Sequence, residues 1–120
     1  MSSKKRKKAV VFGGSGFLGS YVADALTEEG FDVTVFDINE SEYLKDGQHM
    51  VTGDILDSAK VRKIVNESNI VFHFAGIADI KEANLRPLDA VKYNILGTTN
   101  ILDACISAKI SRFIFASTVY

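Results

Sequence analysis

Several residue types that often stabilise or constrain a fold are rare in this sequence, among them those that form disulfides and bind metals. Its 120 residues include no tryptophan, one proline and a single cysteine, Cys105. One cysteine can form neither an intrachain disulfide nor a cysteine-based zinc cluster, and we therefore expect a reducing, cytoplasmic setting. The two histidines, His49 and His73, have no paired acids at ligand spacing, so no metal site is predicted.

The net charge is also small, and long apolar runs are few. The formal net charge is −1, so no overall field attracts nucleic acid or a membrane surface. Residues 4–8 are five consecutive cations. Such a run can be a localisation signal or a nucleic-acid arm, but we favour a solvated tail. The apolar run that follows, 9–12, is too short for a signal peptide or membrane span. With 47% apolar residues, the chain can bury the core of one domain.

Glycine, in contrast, is concentrated immediately after this apolar run. The stretch AVVFGGSGFLG (9–19) satisfies two spacings, G-x-G-x-x-G from Gly14 and G-x-x-G-x-x-G from Gly13, and both include Gly16 and Gly19. Between a strand and a helix, such a turn lets the backbone approach a diphosphate, whose charge the free N–H groups and the helix dipole bind. The alternative is a purely structural turn, but the flanking strand and helix patterns favour a dinucleotide site.

Short apolar runs alternate with helical patterns along the rest of the chain. One helix is predicted from Leu18 to the stop at Gly30, and another begins after a cap at Asp57 or Ser58. Pro87 suits the first turn of a long helix. The predicted core face of that helix is Leu88, Val91, Ile95, Thr98, Leu102 and Cys105. The predicted strands are 9–12, 31–36, 48–51, 70–74 and 112–116.

Strands that are apolar on both faces and alternate with helices predict an α/β fold with a parallel sheet covered on both sides. This is the doubly wound, or Rossmann, pattern, with helices on both faces of the sheet. Here it would be truncated after the fifth strand. We divide the chain into a basic tail, residues 1–8, and a dinucleotide-binding segment, residues 9–120.

The motifs resemble, in order and over nearly all of residues 8–120, those of the extended short-chain dehydrogenase/reductase family, the NAD-dependent epimerase/dehydratase group. GGSGFLG resembles the phosphate loop, although Phe12 stands where many members have threonine. Asp37 resembles the acid that accepts from both adenosine-ribose hydroxyls. Its charge would repel a 2′-phosphate and no arginine lies nearby in sequence, so the resemblance implies NAD rather than NADP. The alternative for Asp37 is an ordinary surface carboxylate.

Two further motifs resemble cofactor contacts of that family. In Gly53-Asp54-Ile55, the acid would accept from the adenine amino group and Ile55 would pack on the ring, although GDI alone is an unremarkable turn. Residues 73–76 (HFAG) resemble the turn whose small residues let the cofactor approach the end of the fourth strand. We interpret His73 itself as a hydrogen-bonded structural histidine rather than a base.

Two more motifs complete the resemblance. Asn94 begins an N-x-x-G-T element and is expected to bridge backbone groups near the active site. FIFAST (113–118) resembles a strand that ends in a Ser/Thr pair, with Thr118 supplying the catalytic hydroxyl and Ser117 lining the nicotinamide side; the alternative is a polar strand end. The predicted cofactor-binding residues are Gly13, Gly16, Phe17, Leu18, Gly19, Asp37, Ile38, Asp54, Ile55, Phe74, Ala75, Gly76, Asn94 and Ser117.

The catalytic base of that family, the tyrosine of a Tyr-x-x-x-Lys pair, is not found in this sequence. None of the four tyrosines has a lysine four positions later, and the family places the pair beyond the Ser/Thr strand. We therefore expect a longer enzyme whose substrate-binding part follows Tyr120. The present segment should be inactive alone, with an exposed, association-prone edge at its fifth strand.

The resemblance implies an NAD-dependent nucleoside-diphosphate-sugar epimerase, in which a tyrosinate removes a hydroxyl proton while hydride passes to the nicotinamide and later returns. HFAG and GDI are most similar to UDP-glucose 4-epimerases, but Ala78 stands where that subgroup usually has a lysine. The alternatives are a sugar-nucleotide dehydratase, an NAD(P)-dependent reductase of the same family, or a non-catalytic dinucleotide-sensing module. The expected partners are a nucleotide sugar and, in the full-length protein, a second copy in a homodimer.

Overall fold

The structure, a computed structural model, describes residues 6–117 and contains one five-stranded sheet with helices between its strands. Thr118 and Tyr120 lie outside the described residues. The strands are β1 (Lys8–Phe12), β2 (Asp32–Asp37), β3 (Gln48–Thr52), β4 (Ile70–His73) and β5 (Arg112–Phe115). The helices are α1 (Phe17–Glu28), α2 (Ser58–Asn66), α3 (Ile80–Leu85), α4 (Pro87–Val91) and α5 (Thr98–Ala108), and a π-helical segment, Lys92–Gly97, joins α4 to α5.

All neighbouring strands of the sheet are parallel, in the order β3-β2-β1-β4-β5. From β1 the chain first builds outward through β2 and β3, and then crosses to the other side of β1 for β4 and β5. The order therefore reverses between β1 and β4, and ligands of such sheets bind beyond the carboxyl ends of the strands at this point. The predicted doubly wound α/β fold is confirmed.

The sheet has a separate hydrophobic cluster on each face, because successive residues of a strand point to opposite sides. Val10 and Phe12 of β1 pack on the face covered by α2 and α5, with Phe36 centred 5.0 Å from Phe12. Val11 packs on the opposite face with Ala23 of α1. Phe12 is fully buried, so this departure from the family pattern replaces a polar residue with core packing.

The long helix buries a different face from the one predicted. Gly97, Ile101, Ala104 and Cys105 are buried. Leu88, Val91 and Ile95 are 77%, 54% and 61% exposed, and Leu102 is also exposed. The prediction was correct for Cys105 and wrong for those four residues, while Thr98 is half-buried. The difference between the predicted and the observed face has two physical reasons. The π-helical segment breaks the 3.6-residue period. The helix also carries a second apolar face, which periodicity alone cannot distinguish from the core face.

Two of the remaining helices, α2 and α3, are short and capped by aspartates. Asp57 caps α2, accepting from the backbone N–H of Lys60 at 3.1 Å, as one of the two predicted caps. Asp79 caps α3 in the same way, accepting from Lys81 at 2.9 Å; this six-residue helix was not predicted. Within residues 6–117, no helix has the length and apolar character needed to cross a membrane.

Candidate functional site

A cavity of about 920 Å³ lies beyond the carboxyl ends of β1, β2, β3 and β4. Each of these strands is followed by a loop that contributes part of the wall. Ten predicted cofactor residues line the cavity: Gly13, Gly16, Phe17, Asp37, Ile38, Asp54, Ile55, Phe74, Ala75 and Gly76. Leu18, Gly19, Asn94 and Ser117 do not line it. The fold thus gathers most of the motif residues at the topological switch point.

Two glycines of the loop after β1, Gly13 and Gly19, are required by close backbone approach. Gly13 has φ +79°, and a Cβ there would lie 2.6 Å from the backbone nitrogen of Ala75. A Cβ on Gly19 would lie 2.2 Å from the carbonyl oxygen of Gly13. Gly16 differs, because its nearest contact would be an ordinary 3.5 Å. Packing therefore explains Gly13 and Gly19, whereas the missing side chain of Gly16 leaves space in the cavity itself.

Helix α1 begins at this loop without a side-chain cap. Gly16 is the N-cap residue and offers no side-chain acceptor, and the first turn contains no acidic residue. The N–H groups of Phe17, Leu18 and Gly19 precede the first intrahelical bond, which Ser20 donates to Gly16. Free donors at the positive end of a twelve-residue helix form a binding site for an anion such as a diphosphate.

Asp37 closes β2 and lies across the loop from α1. Its Oδ2 accepts from the backbone N–H of Ser15 at 3.0 Å, and its Oδ1 accepts from that of Asn39 at 3.1 Å. The Ser15 hydroxyl in turn donates to the carbonyl of Asn39 at 2.7 Å. Each carboxylate oxygen has a further lone pair, so Asp37 can stabilise the glycine loop and still accept from a ligand.

Asp54 and Ile55 follow β3 on a third side of the cavity. The Oδ1 of Asp54 accepts from the backbone N–H of Leu56 at 2.9 Å, and its Oδ2 lies 3.3 Å from the phenol oxygen of Tyr93. Ile55 is almost fully buried, and a Cβ on Gly97 would lie 2.4 Å from its Cδ1. Gly97 of the N-x-x-G-T element is therefore needed for the helix to approach this wall.

Asn94 bridges backbone groups, as expected of it. Its Oδ1 accepts from the N–H of Ile77 at 2.7 Å, and its Nδ2 donates to the carbonyl of Ile77 at 2.9 Å. Gly76 has φ +138°, and a Cβ there would lie 2.5 Å from the Asn94 Oδ1. The amide thus fixes the loop after β4, which forms a cavity wall, without lining the cavity itself.

His73 lies beneath the same loop and is 1% exposed. Its Nδ1 accepts from the backbone N–H of Ala75 at 3.3 Å, and its Nε2 lies 2.8 Å from the hydroxyl of Thr98. With Nδ1 as acceptor, Nε2 carries the proton and donates to Thr98. Burial lowers the pKa of His73 to about 4. These bonds are those of a neutral structural histidine.

Sequence reasoning missed several residues of the cavity wall. Glu40, Glu42 and Glu82 join Asp37 and Asp54 as acidic lining residues, and Arg86 is the cation among the described lining residues. Arg86 is paired with Glu82 and, at 3.4 Å, with Asp89. The wall is therefore acidic, which leaves anion binding to backbone N–H groups. Within residues 6–117, no group of three or more His, Cys, Asp or Glu side chains is placed to hold a metal ion.

The parallel sheet, the glycine loop and the carboxylate that closes β2 define a Rossmann-type α/β protein. Residues 9–120 match the model of the NAD dependent epimerase/dehydratase family. The chain belongs to this family.

Individual relatives match most of this chain along part of their own length. The chain is 34% identical over 119 residues to a UDP-N-acetyl-alpha-D-glucosaminuronate decarboxylase of Bacillus cytotoxicus, covering 94% of this chain and 37% of the relative. A crystal structure of UDP-glucose 4-epimerase from Thermotoga maritima with UDP-glucose is 32% identical, with a TM-score of 0.87, over 92% of this chain and 38% of that one. The Brucella ovis UDP-glucose 4-epimerase in complex with NAD is 30% identical, with a TM-score of 0.86, over 94% and 36%. This chain spans well under half the length of these relatives.

Proposed function

We propose that residues 9–120 bind NAD and form the cofactor segment of an NAD-dependent nucleoside-diphosphate-sugar epimerase. One observation carries the proposal: the uncapped N-terminus of α1 and the carboxylate of Asp37 line a single cavity at the switch point of the sheet. The first feature suits a diphosphate, and the second suits a pair of ribose hydroxyls. Relatives crystallised with NAD and with UDP-glucose support this assignment.

Each cavity wall has its own part in this proposal. The N–H groups of Phe17 and Leu18 hold the diphosphate, and Asp37 accepts from the adenosine ribose. Asp54, which follows β3, accepts from the adenine amino group. Because Asp37 is an anion, a 2′-phosphate in its place would be repelled, which favours NAD over NADP.

The wall residues Ile38, Ile55 and 74–76 complete the enclosure of the cofactor. Asn94 acts through the backbone of Ile77. Ser117 ends the described chain after β5, where we propose that it faces the nicotinamide.

NAD, when bound, supplies a hydride acceptor that can return the hydride. The chain's own contribution is to bind and orient that cofactor, with Thr118 donating a hydrogen bond to the reacting sugar oxygen. The base that removes the hydroxyl proton is expected from a Tyr-x-x-x-Lys pair elsewhere in the full-length protein. A second candidate is another nucleotide-sugar reaction of the same family, which the 34% identity to a decarboxylase favours.

We also propose that the full-length protein is a cytoplasmic homodimer. Leu88, Val91 and Ile95 are exposed on consecutive turns of α4 and the π-helical segment. Large apolar side chains exposed at helical spacing are typical of an interaction surface. The single cysteine, Cys105, is buried and free, which suits a reducing compartment.

The cofactor proposal is tested by calorimetric titration of the full-length protein with NAD and NADP. We expect NAD binding with much weaker NADP binding. We expect Asp37→Ala to weaken NAD binding by about 10- to 100-fold, since it removes hydrogen bonds to a charged group. Asp46→Ala is the matched control, because Asp46 is exposed and does not line the cavity. Absence of dinucleotide binding by the unmodified protein would contradict the proposal.

A further inference from the structure

Tyr93 is a cavity residue that none of the motifs above accounts for. It lies in the π-helical segment, is partly buried against the cluster that contains Ile101, and lines the cavity together with Asp54. Its neighbour Asn94 contacts Ile77. Two adjacent residues of the π-helical segment thus hold two different walls, the one after β3 and the one after β4. A π-helical turn inside a longer helix is frequent at functional sites.

The contact made by Tyr93 fixes the orientation of a carboxylate. Its phenol donates to the Oδ2 of Asp54 at 3.3 Å, while the Oδ1 accepts from the backbone N–H of Leu56 at 2.9 Å. Each oxygen therefore has one protein donor, and rotation of the carboxylate breaks both bonds. The lone pairs that remain can only accept hydrogen bonds when Asp54 is ionised.

The direction of this hydrogen bond is stable at neutral pH. Burial, and then the negative charge of Asp54, raise the pKa of Tyr93 above its ordinary value. The phenol accordingly stays protonated and remains the donor. Asp54 is thus presented to the cavity as an acceptor whose position is held by Tyr93, its neighbour in the cavity wall.

We propose that Tyr93 is a positioning residue for nucleobase recognition, holding Asp54 so that its carboxylate accepts from an exocyclic amino group of a base in the cavity. This inference rests on the dinucleotide function proposed above. A base with an oxo group at the same position places a hydrogen-bond acceptor against the carboxylate, which is also an acceptor. Both oxygens are then desolvated without a donor, and this disfavours binding of that base. Tyr93 thereby contributes to the preference for adenine over hypoxanthine.

The test compares binding of NAD and nicotinamide hypoxanthine dinucleotide to the full-length protein by calorimetry. We expect the unmodified protein to prefer NAD. In Tyr93→Phe, which keeps the ring and removes the hydroxyl, we expect NAD affinity to fall by about 2- to 10-fold, with the hypoxanthine dinucleotide nearly unaffected. The preference ratio should shrink accordingly. Tyr21→Phe is the matched control, because Tyr21 is exposed on α1 and lies outside the cavity.

A second variant tests the direction of the hydrogen bond. Asp54→Asn offers an amide donor to an oxo group, so its preference should move toward the hypoxanthine dinucleotide. Adding Tyr93→Phe to Asp54→Asn should change the ratio little further, since two residues that act through one contact are not additive.

The outcomes separate this inference from the proposed function. Absence of dinucleotide binding by the unmodified protein would overturn both. NAD binding with an unchanged preference ratio in Tyr93→Phe would overturn the positioning role alone. Equal losses for the two dinucleotides, with a lower melting temperature, would show that Tyr93 only stabilises the fold and would also overturn the inference.

Discussion

At the scale of single residues, His73 is an ionisable side chain enclosed by the core. Phe12 and Phe115 lie with ring centroids 6.5 Å and 5.5 Å from its imidazole. Burial lowers its pKa from 6.5 to about 4. Between these two pH values the unfolded state binds more protons than the folded state, so the free energy of unfolding rises with pH there. The stabilisation is complete above the unfolded pKa and is lost as the pH falls toward 4.

This pH dependence is measurable by chemical denaturation. Between pH 7 and pH 5 we expect His73 alone to lower the free energy of unfolding by about 2 kcal/mol. His73→Gln should lack this part of the slope, since glutamine does not titrate, and we expect the variant to be less stable than the unmodified protein at pH 7. His49→Gln is the control, because His49 is largely exposed in its pair with Asp32. Equal slopes for the unmodified protein and His73→Gln would contradict the interpretation.

Local chemistry decides which site residues the sequence can predict. The places of Gly13, Gly16 and Asp37 in the cavity wall were predictable, the glycines from their spacing after an apolar run and Asp37 from its resemblance to the family's acid at the end of the second strand. The roles of Ser15 and Tyr93 were not, because their partners lie 22 and 39 positions away. Only the folded chain brings these groups together.

At the scale of elements, α5 shows how two adjacent apolar residues take different roles. Ile101 is fully buried against the sheet, and Leu102 is exposed. Consecutive residues of a helix point about 100° apart, so both cannot face the same core. The stabilising face of α5 is the one that contains Ile101, Ala104 and Cys105.

Alanine substitutions on α5 test this assignment by urea unfolding. We expect Ile101→Ala to lower the free energy of unfolding by about 2–5 kcal/mol, because it leaves a cavity in the core. Leu102→Ala, the matched control on the same helix, should cost well under half of that. A larger cost for Leu102→Ala than for Ile101→Ala would contradict this assignment and support the core face predicted from the sequence.

Elements differ in how well sequence predicts them. The five strands were placed within one residue at each end. Apart from β3, in which Gln48 and His49 are polar, they are largely apolar or β-branched runs, as is typical of buried parallel strands. Helix α3 has six residues, fewer than the period analysis needs. The π-helical segment makes contacts such as that of Asn94 with Ile77, 17 positions away, which no local pattern contains.

At the scale of the whole molecule, the proposed homodimer gives a further prediction. Ile95→Glu places a charge on the exposed apolar face of the long helix, and burying that charge in an interface is costly. We expect it to weaken self-association of the full-length protein at least about 10-fold, measured by analytical ultracentrifugation. Leu44→Glu is the control, because Leu44 is an exposed apolar residue in the loop between β2 and β3. A monomeric unmodified protein would contradict the proposal.

The fold class was predictable at this scale, whereas the strand order was not specified in advance. Alternating apolar strands and helices require a parallel sheet covered on both faces. The order β3-β2-β1-β4-β5 depends on the side of β1 to which each connection leads. That choice is made by packing over the whole sheet, and it is also what creates the cavity.

The π-helical segment has a consequence for insertions and deletions. Its six residues, Lys92–Gly97, follow a wider path than an α-helix, so removing one residue there would let the helix run on in regular α form. Because a π-helix takes more residues per turn than an α-helix, these six residues cover about the same rotation as five α-helical residues. Leu88 and Val91 would therefore keep their direction relative to the buried side of α5, whereas deleting one residue within α5 would turn them by about 100° and shift them by about 1.5 Å. The wider turn thus lets the chain carry one more residue without changing the angular phase between the surface patch and the core.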